Sequence, residues 1–283
     1  MNGAHSFQGV VKIGGARGNA VCPLLEELAD RTRRGERWAL VHGASSMMED
    51  LSRAVGMEPV YVVSPGGFRS RFVGERELAL FEAACCRFSV DLVAALGRLG
   101  VRAVPLYPGS AKGASAKRKN SLRVVEDGRV RMMHGNYSGA IAAFDPSDIR
   151  SVWDSGGLPL LPPLASDEAV PGSRLNVDGD RMAAAAAAAV GADVLAILSN
   201  VPGLLRTPSD PSSRVEKGTL SEWESLEPLA KGNMKRKLLA AREALEGGAE
   251  TVVIADSRNA RPIGAGLDGG GTLLCRGSMA AAV

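Results

Sequence analysis

Val10-Val11-Lys12-Ile13-Gly14-Gly15 joins an apolar strand to a lysine and two consecutive glycines, which indicates a strand ending in a tight turn at a sheet edge. A lysine at this point places a positive charge beside backbone N–H groups that a ligand can approach closely. A polyphosphate requires such an arrangement. The chain has no Gly-Lys dipeptide, so a Walker P-loop is excluded and another phosphate-binding scheme is needed. An ordinary turn is the alternative for this stretch taken alone.

Short apolar runs recur along the chain and alternate with helical segments. The predicted strands lie at 9–13, 38–41, 103–106, 158–161, 194–198 and 251–255, and the predicted helices at 22–33, 76–99, 182–190 and 233–246. This alternation predicts an α/β fold with a mostly parallel sheet, helices on both faces and ligands at the carboxyl ends of the strands. A proline-rich break near 162–172 separates a first lobe, 1–170, from a second, 171–283, and both are expected to share one sheet.

The composition excludes several classes of protein. The 283 residues are 45% hydrophobic, enough for a full core, and no apolar run reaches the roughly 20 residues that a membrane span needs. Residues 1–9 have no pattern of a secretory signal, so we expect a soluble, cytoplasmic protein that binds no membrane. Neither the four cysteines nor the three histidines show metal-ligand spacing, and no protein metal site is predicted.

Positive charge is concentrated in one segment, although the net charge of the chain is only +3. Residues 112–131 contain seven basic side chains. The alternation of residues 122–131 around Asp127-Gly128 predicts a β-hairpin with a tight turn, so we expect a basic hairpin over about 112–131. Such a hairpin is either a solvated edge or a docking surface for an acidic partner. Nucleic acid is disfavoured as the partner because every Tyr and Phe lies outside the segment.

Five polar segments lie where strands end or helices begin, at 12–15, 42–46, 64–71, 176–180 and 231–238. The carboxyl ends of parallel strands meet at one edge of a sheet, so these segments predict a shared site. The helix start after Gly43 could bind an anion through its backbone N–H groups, and the arginines at 64–71 suit a carboxylate. The lysines at the helix start in 231–238 oppose the helix dipole, which suggests that an anion binds there. A helix cap, an exposed arginine or a solvated lysine is the alternative in each case.

The same segments resemble the amino-acid kinase family when they are taken in order. VVKIGG, VHGxx, the arginines of GFRSR, NVDGD, LSNVPGLL and GNMKRKL carry the resemblance, which covers residues 10–274. The sequence is most similar to the acetylglutamate-kinase branch, and there to kinases acting on aminoadipate or glutamate attached to a small acidic amino-group carrier protein. Ser64-Pro65-x-Gly67-x-Arg69-Ser70-Arg71, Asn136-Tyr137-Ser138-Gly139 and the basic hairpin point to these carrier-dependent kinases.

The resemblance implies a three-layer αβα sandwich, a homodimer, and ATP with Mg²⁺ as the phosphoryl donor to a carboxylate, giving an acyl phosphate. By this resemblance Lys12 and Lys237 flank the moving phosphoryl group, and Asp180 orients both lysines. The other implied contacts are phosphate binding by Gly14, Gly15, Gly43 and Ala44, substrate binding by Arg69, Arg71 and Asn176, nucleotide binding by Ser199, Asn200, Gly203, Leu204, Gly232 and Met234, and carrier binding by Lys117, Arg118, Lys119 and Arg123.

Some residues depart from the family's pattern. Ala44 and Ser45 stand where the family has glycines, which adds Cβ atoms where close approach or a positive φ is expected. Asn200 replaces an aspartate, and Asn136 and Ala140 replace a glycine and a lysine. These changes predict a divergent carrier-dependent kinase of a specialised amino-acid pathway. A kinase of free N-acetylglutamate and a non-catalytic nucleotide-binding regulator are the alternatives.

Overall fold

A computed structural model of the chain describes residues 6–67, 69–126 and 128–277, without the side chain of Arg69. The strands of these residues are β1 (Gln8–Ile13), β2 (Arg37–His42), β3 (Tyr61–Val63), β4 (Arg69–Arg71), β5 (Ala103–Pro105), β6 (Ala114–Arg118), β7 (Ser121–Glu126), β8 (Arg129–His134), β9 (Gly139–Phe144), β10 (Leu158–Leu161), β11 (Leu164–Asp167), β12 (Arg174–Asn176), β13 (Val194–Ser199), β14 (Lys217–Thr219), β15 (Thr251–Asp256) and β16 (Thr272–Cys275). The helices are α1 (Cys22–Arg33), α2 (Ser45–Ala54), α3 (Glu75–Arg98), α4 (Ser147–Asp154), α5 (Gly179–Val190), α6 (Trp223–Leu226), α7 (Met234–Glu246) and α8 (Pro262–Ala265).

Eight strands form the central sheet in the order β14-β16-β15-β13-β1-β2-β10-β5. Neighbouring strands are parallel except β15 and β16, which run antiparallel. This confirms the predicted α/β fold with a mostly parallel sheet. Because β1 lies between β13 and β2, the turn after Ile13 adjoins the ends of two strands from distant parts of the sequence.

The two faces of the sheet are buried by different helices. Val10 belongs to the core that includes α5 and α7, whereas Val11 and Ile13 belong to the core that includes α1 and α3. Successive side chains of a strand point to opposite faces, so Lys12 lies on the same face as Val10. The position of Lys12 in the strand thus directs its side chain toward α5 and α7.

Helices α5 and α7 pack against each other through small side chains. Ala183, Ala187, Ala240 and Ala244 are all fully buried in one core cluster. Small residues let two helix backbones approach closely.

A smaller sheet, β12-β11-β6-β9, and two hairpins, β3-β4 and β7-β8, adjoin the central sheet. The predicted basic segment 112–131 is therefore divided. Residues 114–118 form β6, which pairs with β11 and β9, and the β7-β8 hairpin runs over 121–134. The hairpin predicted from the pattern of residues 122–131 is confirmed by the pairing of β7 with β8. The wider range of about 112–131 was wrong, because residues 114–118 pair with distant strands. Asp127 of the turn lies outside the described residues.

The predicted helices agree with α1, α3, α5 and α7 to within about one turn. Helix α5 starts at Gly179 and not near 182, since Asp178 caps it by accepting hydrogen bonds from the N–H groups of Asp180 and Arg181. Sequence analysis missed most strands of the smaller sheet, and β14 and β16 of the central one. No helix within the described ranges is both long and apolar enough to cross a bilayer.

Candidate active site

Lys12, Asp180 and Lys237 form a buried cluster on the α5–α7 side of the sheet. Lys12 Nζ lies 2.7 Å from Asp180 Oδ1, and Lys237 Nζ lies 3.2 Å from Asp180 Oδ2. The three residues are 7–8% exposed. The structure thus brings together the three residues that sequence analysis assigned to catalysis.

Three elements position this cluster. Lys12 comes from β1, Asp180 from the first turn of α5 and Lys237 from the first turn of α7. Because Asp178 caps α5, the carboxylate of Asp180 is left to face the lysines. Arg181 and Glu243 join the two helices by a two-point ion pair, with nitrogen–oxygen distances of 2.6 and 2.8 Å.

The cluster carries two potential positive charges and one negative charge. Burial raises the pKa of Asp180, but the ammonium groups of Lys12 and Lys237 outweigh that effect and lower it to about 2. Burial and the charge of Lys12 lower the pKa of Lys237, although Asp180 counteracts them. An excess of positive charge in a buried place is costly unless an anion joins it, so the cluster is suited to a bound anion.

The turns after β1 and β2 touch each other directly. A Cβ atom added at Gly15 would lie 2.3 Å from the carbonyl carbon of Gly43, which is closer than atoms can approach. Ser46 N–H donates to Gly15 O at 2.8 Å. Glycine is therefore required here because two backbones meet.

The four predicted phosphate-binding N–H groups have different partners. Gly14 N–H donates to Leu198 O at 3.2 Å and Gly43 N–H to Ile13 O at 3.0 Å, because hydrogen bonding at the end of the sheet continues into the turns. The prediction that these two N–H groups contact phosphate is not supported. Gly15 and Ala44 have N–H groups without an acceptor among the described residues.

Ala44 fits its position despite the added Cβ. Its φ is −129°, an ordinary value for an L-residue, and its side chain is buried in the cluster with Met48 and Leu164. The departure from glycine at this position therefore causes no backbone strain.

His42, just before this turn, is buried and neutral. Burial lowers its pKa to about 4. Its Nε2 lies 2.8 Å from Ser89 Oγ, which lies 2.9 Å from the hydroxyl of Tyr107. This chain of polar groups connects the end of β2 with α3 and the loop after β5.

Two predicted substrate-binding residues can be described by their side chains. Arg71, on β4, donates from Nη2 to Ser52 Oγ at 2.8 Å, and its buried Nε has no acceptor among the described atoms. Asn176, at the end of β12, is half-buried, and its backbone N–H donates to Tyr137 O at 3.0 Å. Arg69 is on β4, and its side chain lies outside the described residues.

The predicted nucleotide-binding residues lie after β13 and before α7. Ser199 ends β13, and its buried Oγ has no hydrogen-bond partner among the described residues, whereas Asn200 is exposed. Gly232 is exposed ahead of α7, and Met234 is half-buried at its start.

Leu204 is a correction to this set. It is fully buried in the core, and its N–H donates to Thr272 Oγ1 at 2.9 Å. Gly203 has a φ of +146°, and this turn folds Leu204 inward. A direct contact of Leu204 with a ligand is therefore not supported.

Sequence analysis missed Asn19, which lies against the glycine turn, and Ser257, which contacts the segment after that turn. A Cβ at Gly14 would be 2.8 Å from Asn19 Nδ2, and Ser257 Oγ accepts from Ala20 N–H at 3.1 Å. Ser257 directly follows β15, so the rule that sites gather at the carboxyl ends of strands could have identified it.

The predicted carrier-binding cations differ in their surroundings. Lys117, Lys119 and Arg123 are exposed. Arg118 is half-buried, and its guanidinium lies over the ring of Tyr137. Only the first three therefore behave as freely solvated charges.

The chain is similar in sequence to known proteins. The amino acid kinase family matches residues 9–256. The chain is 41% identical over 270 residues to the "[LysW]-aminoadipate kinase" of Deinococcus radiodurans, covering 94% of this chain and 90% of the relative. It is 35% identical over 269 residues to the protein of the same name from Thermus thermophilus, covering 94% and 99%.

A solved structure shares the architecture. The N-acetylglutamate synthase of Neisseria gonorrhoeae, solved with coenzyme A and N-acetyl-glutamate, superposes with a TM-score of 0.75 at 25% identity. The match covers 96% of this chain but 60% of the synthase chain, so this protein corresponds to part of that larger one.

Proposed function

Since the chain belongs to the amino acid kinase family, we propose that it is an ATP-dependent kinase of aminoadipate or glutamate attached to an acidic amino-group carrier protein. It phosphorylates the side-chain carboxylate of the attached amino acid and yields an acyl phosphate. The observation that carries this proposal is the buried Lys12–Asp180–Lys237 cluster beside the glycine turns. The names of the two relatives support the carrier-bound substrate.

The surroundings of the cluster fit a nucleoside triphosphate. The free N–H groups of Gly15 and Ala44, the buried Ser199 Oγ without a partner and the excess positive charge would all favour phosphate or hydroxyl groups of a nucleotide. ATP supplies the phosphoryl group when it is bound. Mg²⁺ is proposed to bind with the nucleotide's phosphates, because the described residues include no group of three His, Cys, Asp or Glu side chains placed to hold a metal.

The protein's part in the reaction is to position groups and neutralise charge. Lys12 and Lys237 neutralise negative charge on the phosphoryl oxygens, and Asp180 holds both lysines in place. Arg69, Arg71 and Asn176 hold the amino-acid portion of the substrate. Ser199, Asn200, Gly203, Gly232 and Met234 are the proposed nucleotide contacts.

We assign residues 1–170 to the acyl substrate and residues 171–283 to the nucleotide, within one domain. The central sheet joins the two parts, since β1 from the first pairs with β13 from the second. A homodimer in the cytoplasm completes the proposal. Lys117, Arg118, Lys119 and Arg123 are proposed to bind the acidic carrier.

Trapping of the acyl phosphate as a hydroxamate tests this function. Carrier-linked aminoadipate, carrier-linked glutamate and free N-acetylglutamate are compared with MgATP. We expect turnover only with the carrier-linked substrates. Equal or better turnover of free N-acetylglutamate would favour the small-molecule kinase, and nucleotide binding without turnover on any substrate would favour a regulatory protein.

Reversing charge at the surface adds a second test. The triple change Lys117→Glu, Lys119→Glu, Arg123→Glu should strongly reduce turnover of the carrier-linked substrate because it repels an acidic carrier. Arg98, exposed at the end of α3, provides the control: Arg98→Glu reverses a charge outside the proposed carrier surface. Equal turnover in both variants would remove the carrier from the proposal.

A further inference from the structure

Arg118 is held in place, unlike the exposed cations near it. Its guanidinium carbon lies 3.5 Å from the centroid of the Tyr137 ring. Its Nε donates to the backbone oxygen of Asn136 at 2.8 Å. Lys117 and Lys119, its neighbours in sequence, have exposed side chains. Arg118 is thus ordered before any partner binds.

The pairing of β6 explains this difference. Ala116 is fully buried, and Arg118, two residues later, lies on the same inner face of the strand, whereas Lys117 lies on the outer face. The residue opposite Arg118 on β9 is Gly139, which has no side chain. Arg118 therefore has room to lie over Tyr137.

Asn136 makes this support rigid. Its side chain is fully buried, donates from Nδ2 to Lys119 O at 2.8 Å and accepts from Val73 N–H at 3.3 Å. Tyr137 N–H in turn donates to Val73 O at 2.6 Å. The carbonyl and the ring that hold Arg118 are fixed to the β6–β7 connection and to the segment between β4 and α3.

The two Nη groups form the outer edge of the Arg118 guanidinium. Within the described ranges, no carboxylate or other acceptor pairs with the two Nη groups of Arg118. By contrast, Arg131 on β8 pairs with Glu126 at 3.0 Å. A planar guanidinium fixed by stacking and by its Nε presents two parallel N–H donors, which match a carboxylate.

Arg118 is also close to the proposed substrate side of the site. Tyr137 O accepts the backbone N–H of Asn176 at 3.0 Å, and Ser138 forms a β-bridge with Asn176. One residue, Tyr137, therefore contacts Arg118 through its ring and Asn176 through its backbone. This places Arg118 between the amino-acid site and the exposed basic surface.

We propose that Arg118 binds a carboxylate of the carrier-linked substrate through its two Nη groups, close to the bond that joins the amino acid to its carrier. The carboxylate belongs either to the amino acid itself or to an acidic residue of the carrier beside the attachment point. This inference rests on the proposed function. It makes Arg118 a binding residue of defined geometry and leaves Lys117 and Lys119 as diffuse charges.

The test compares variants with carrier-linked aminoadipate. Arg118→Met keeps a stem that can pack on Tyr137 and removes the charge, and Arg118→Lys keeps the charge and removes the fork. Arg98→Met, at the exposed end of α3, is the matched loss of a charge outside the proposed carrier surface. We expect KM to rise about 30-fold or more for Arg118→Met and about tenfold for Arg118→Lys, with kcat nearly unchanged. Arg98→Met should leave KM within about threefold of the value for the unmodified enzyme. Urea unfolding checks that each variant is folded. If Arg118→Met does not fold, the comparison rests on Arg118→Lys.

Double-mutant cycles identify the carboxylate. Arg118→Met is measured against a carrier whose acidic residues beside the attachment point are changed to amides, and against a substrate whose free amino-acid carboxylate is an amide. Loss of the Arg118→Met effect with one of these substrates supports the inference and names the source. A full effect with both substrates, or equal effects of Arg118→Lys and Arg98→Met, overturns the inference. Absence of turnover by the unmodified enzyme on every carrier-linked substrate overturns the proposed function as well, so the two failures are distinguishable.

Discussion

Asp180→Asn should damage both folding and turnover, because among the described residues Asp180 is the carboxylate that pairs with both buried lysines. The side chain keeps its size, but Lys12 and Lys237 lose the charge that now lies 2.7 and 3.2 Å from them. Removing one partner of a buried ion pair costs about 3–5 kcal/mol, since the other charge stays buried and unpaired. We expect a loss in the free energy of unfolding near this range.

The dependence on pH gives this prediction a second signature. The folded pKa of Lys237 is already lowered, so the unfolded chain binds more protons and stability rises as the pH approaches the ordinary lysine pKa. Loss of Asp180 lowers the Lys237 pKa further and makes this rise steeper. In the unmodified protein, the drop of the Asp180 pKa from 3.8 to about 2 corresponds to about 2 kcal/mol, present above pH 3.8 and lost as the pH falls through about 2.

Urea unfolding between pH 7 and 10, together with hydroxamate turnover, measures these effects. Turnover should fall by about 100-fold or more because neither lysine is held toward the phosphoryl group. Asp154→Asn is the matched control, since its carboxylate is 67% exposed and pairs with Arg37 at 3.2 Å, and it should cost less than about 1 kcal/mol. The role of Asp180 would be refuted if Asp180→Asn lost as little free energy of unfolding as the control, with an unchanged pH dependence and a turnover within a few-fold of that of the unmodified enzyme.

Three further predictions concern the supports of the site. Arg181 and Glu243 are changed to alanine singly and together, and we expect a coupling of about 1 kcal/mol in the free energy of unfolding and a reduced turnover. Additive effects of the two changes would show that the pair does not hold α5 to α7. Gly15→Ala should abolish the protection that ATP gives against thermal unfolding, because the added Cβ would lie 2.3 Å from the turn after β2. The control Gly97→Ala, in open space on α3, should raise the free energy of unfolding by up to about 1 kcal/mol. Similar behaviour of both variants would contradict the close contact at Gly15. The folded pKa of His42, lowered to about 4, predicts that about 3 kcal/mol of stability is present above pH 6.5 and lost as the pH falls through about 4. His42→Gln should flatten this part of the pH profile, and an unchanged profile in urea unfolding would assign the effect to another group.

The location of the site was predictable from the sequence because it depends on local patterns. An apolar run that ends in Lys12 and two glycines indicates both a buried strand and a turn, and parallel strands bring such turns to one edge. The roles of Asp178 and Asp180 were less accessible. Both precede the helix predicted from residue 182, and only the observed start at Gly179 makes Asp178 the cap and leaves Asp180, in the first turn, to the lysines.

Other features depend on contacts between distant segments. The basic residues at 112–118 suit a hairpin as well as a strand of a larger sheet, and the pairing of β6 with β9 and β11 decides between them. Nothing local indicates that Arg118 lies over Tyr137 while Lys117 is exposed, since that difference follows from which face of β6 is covered. Leu204 was misassigned for the same reason, because its turn folds under Thr272 from the far end of the chain.

The alanine contact between α5 and α7 limits how this enzyme can change in evolution. A Cβ at Gly247, at the far end of α7, would already lie 2.6 Å from the Cβ of Ala188. Substitution of Gly247 by alanine would therefore force the two helices apart, at a cost of about 1–3 kcal/mol, and would disturb the placement of Lys237 against Asp180. Replacement of a small residue at this contact by a larger apolar one would therefore alter catalysis without changing a charged residue. Variants selected for a new acyl substrate should accumulate changes elsewhere and keep this run of small side chains.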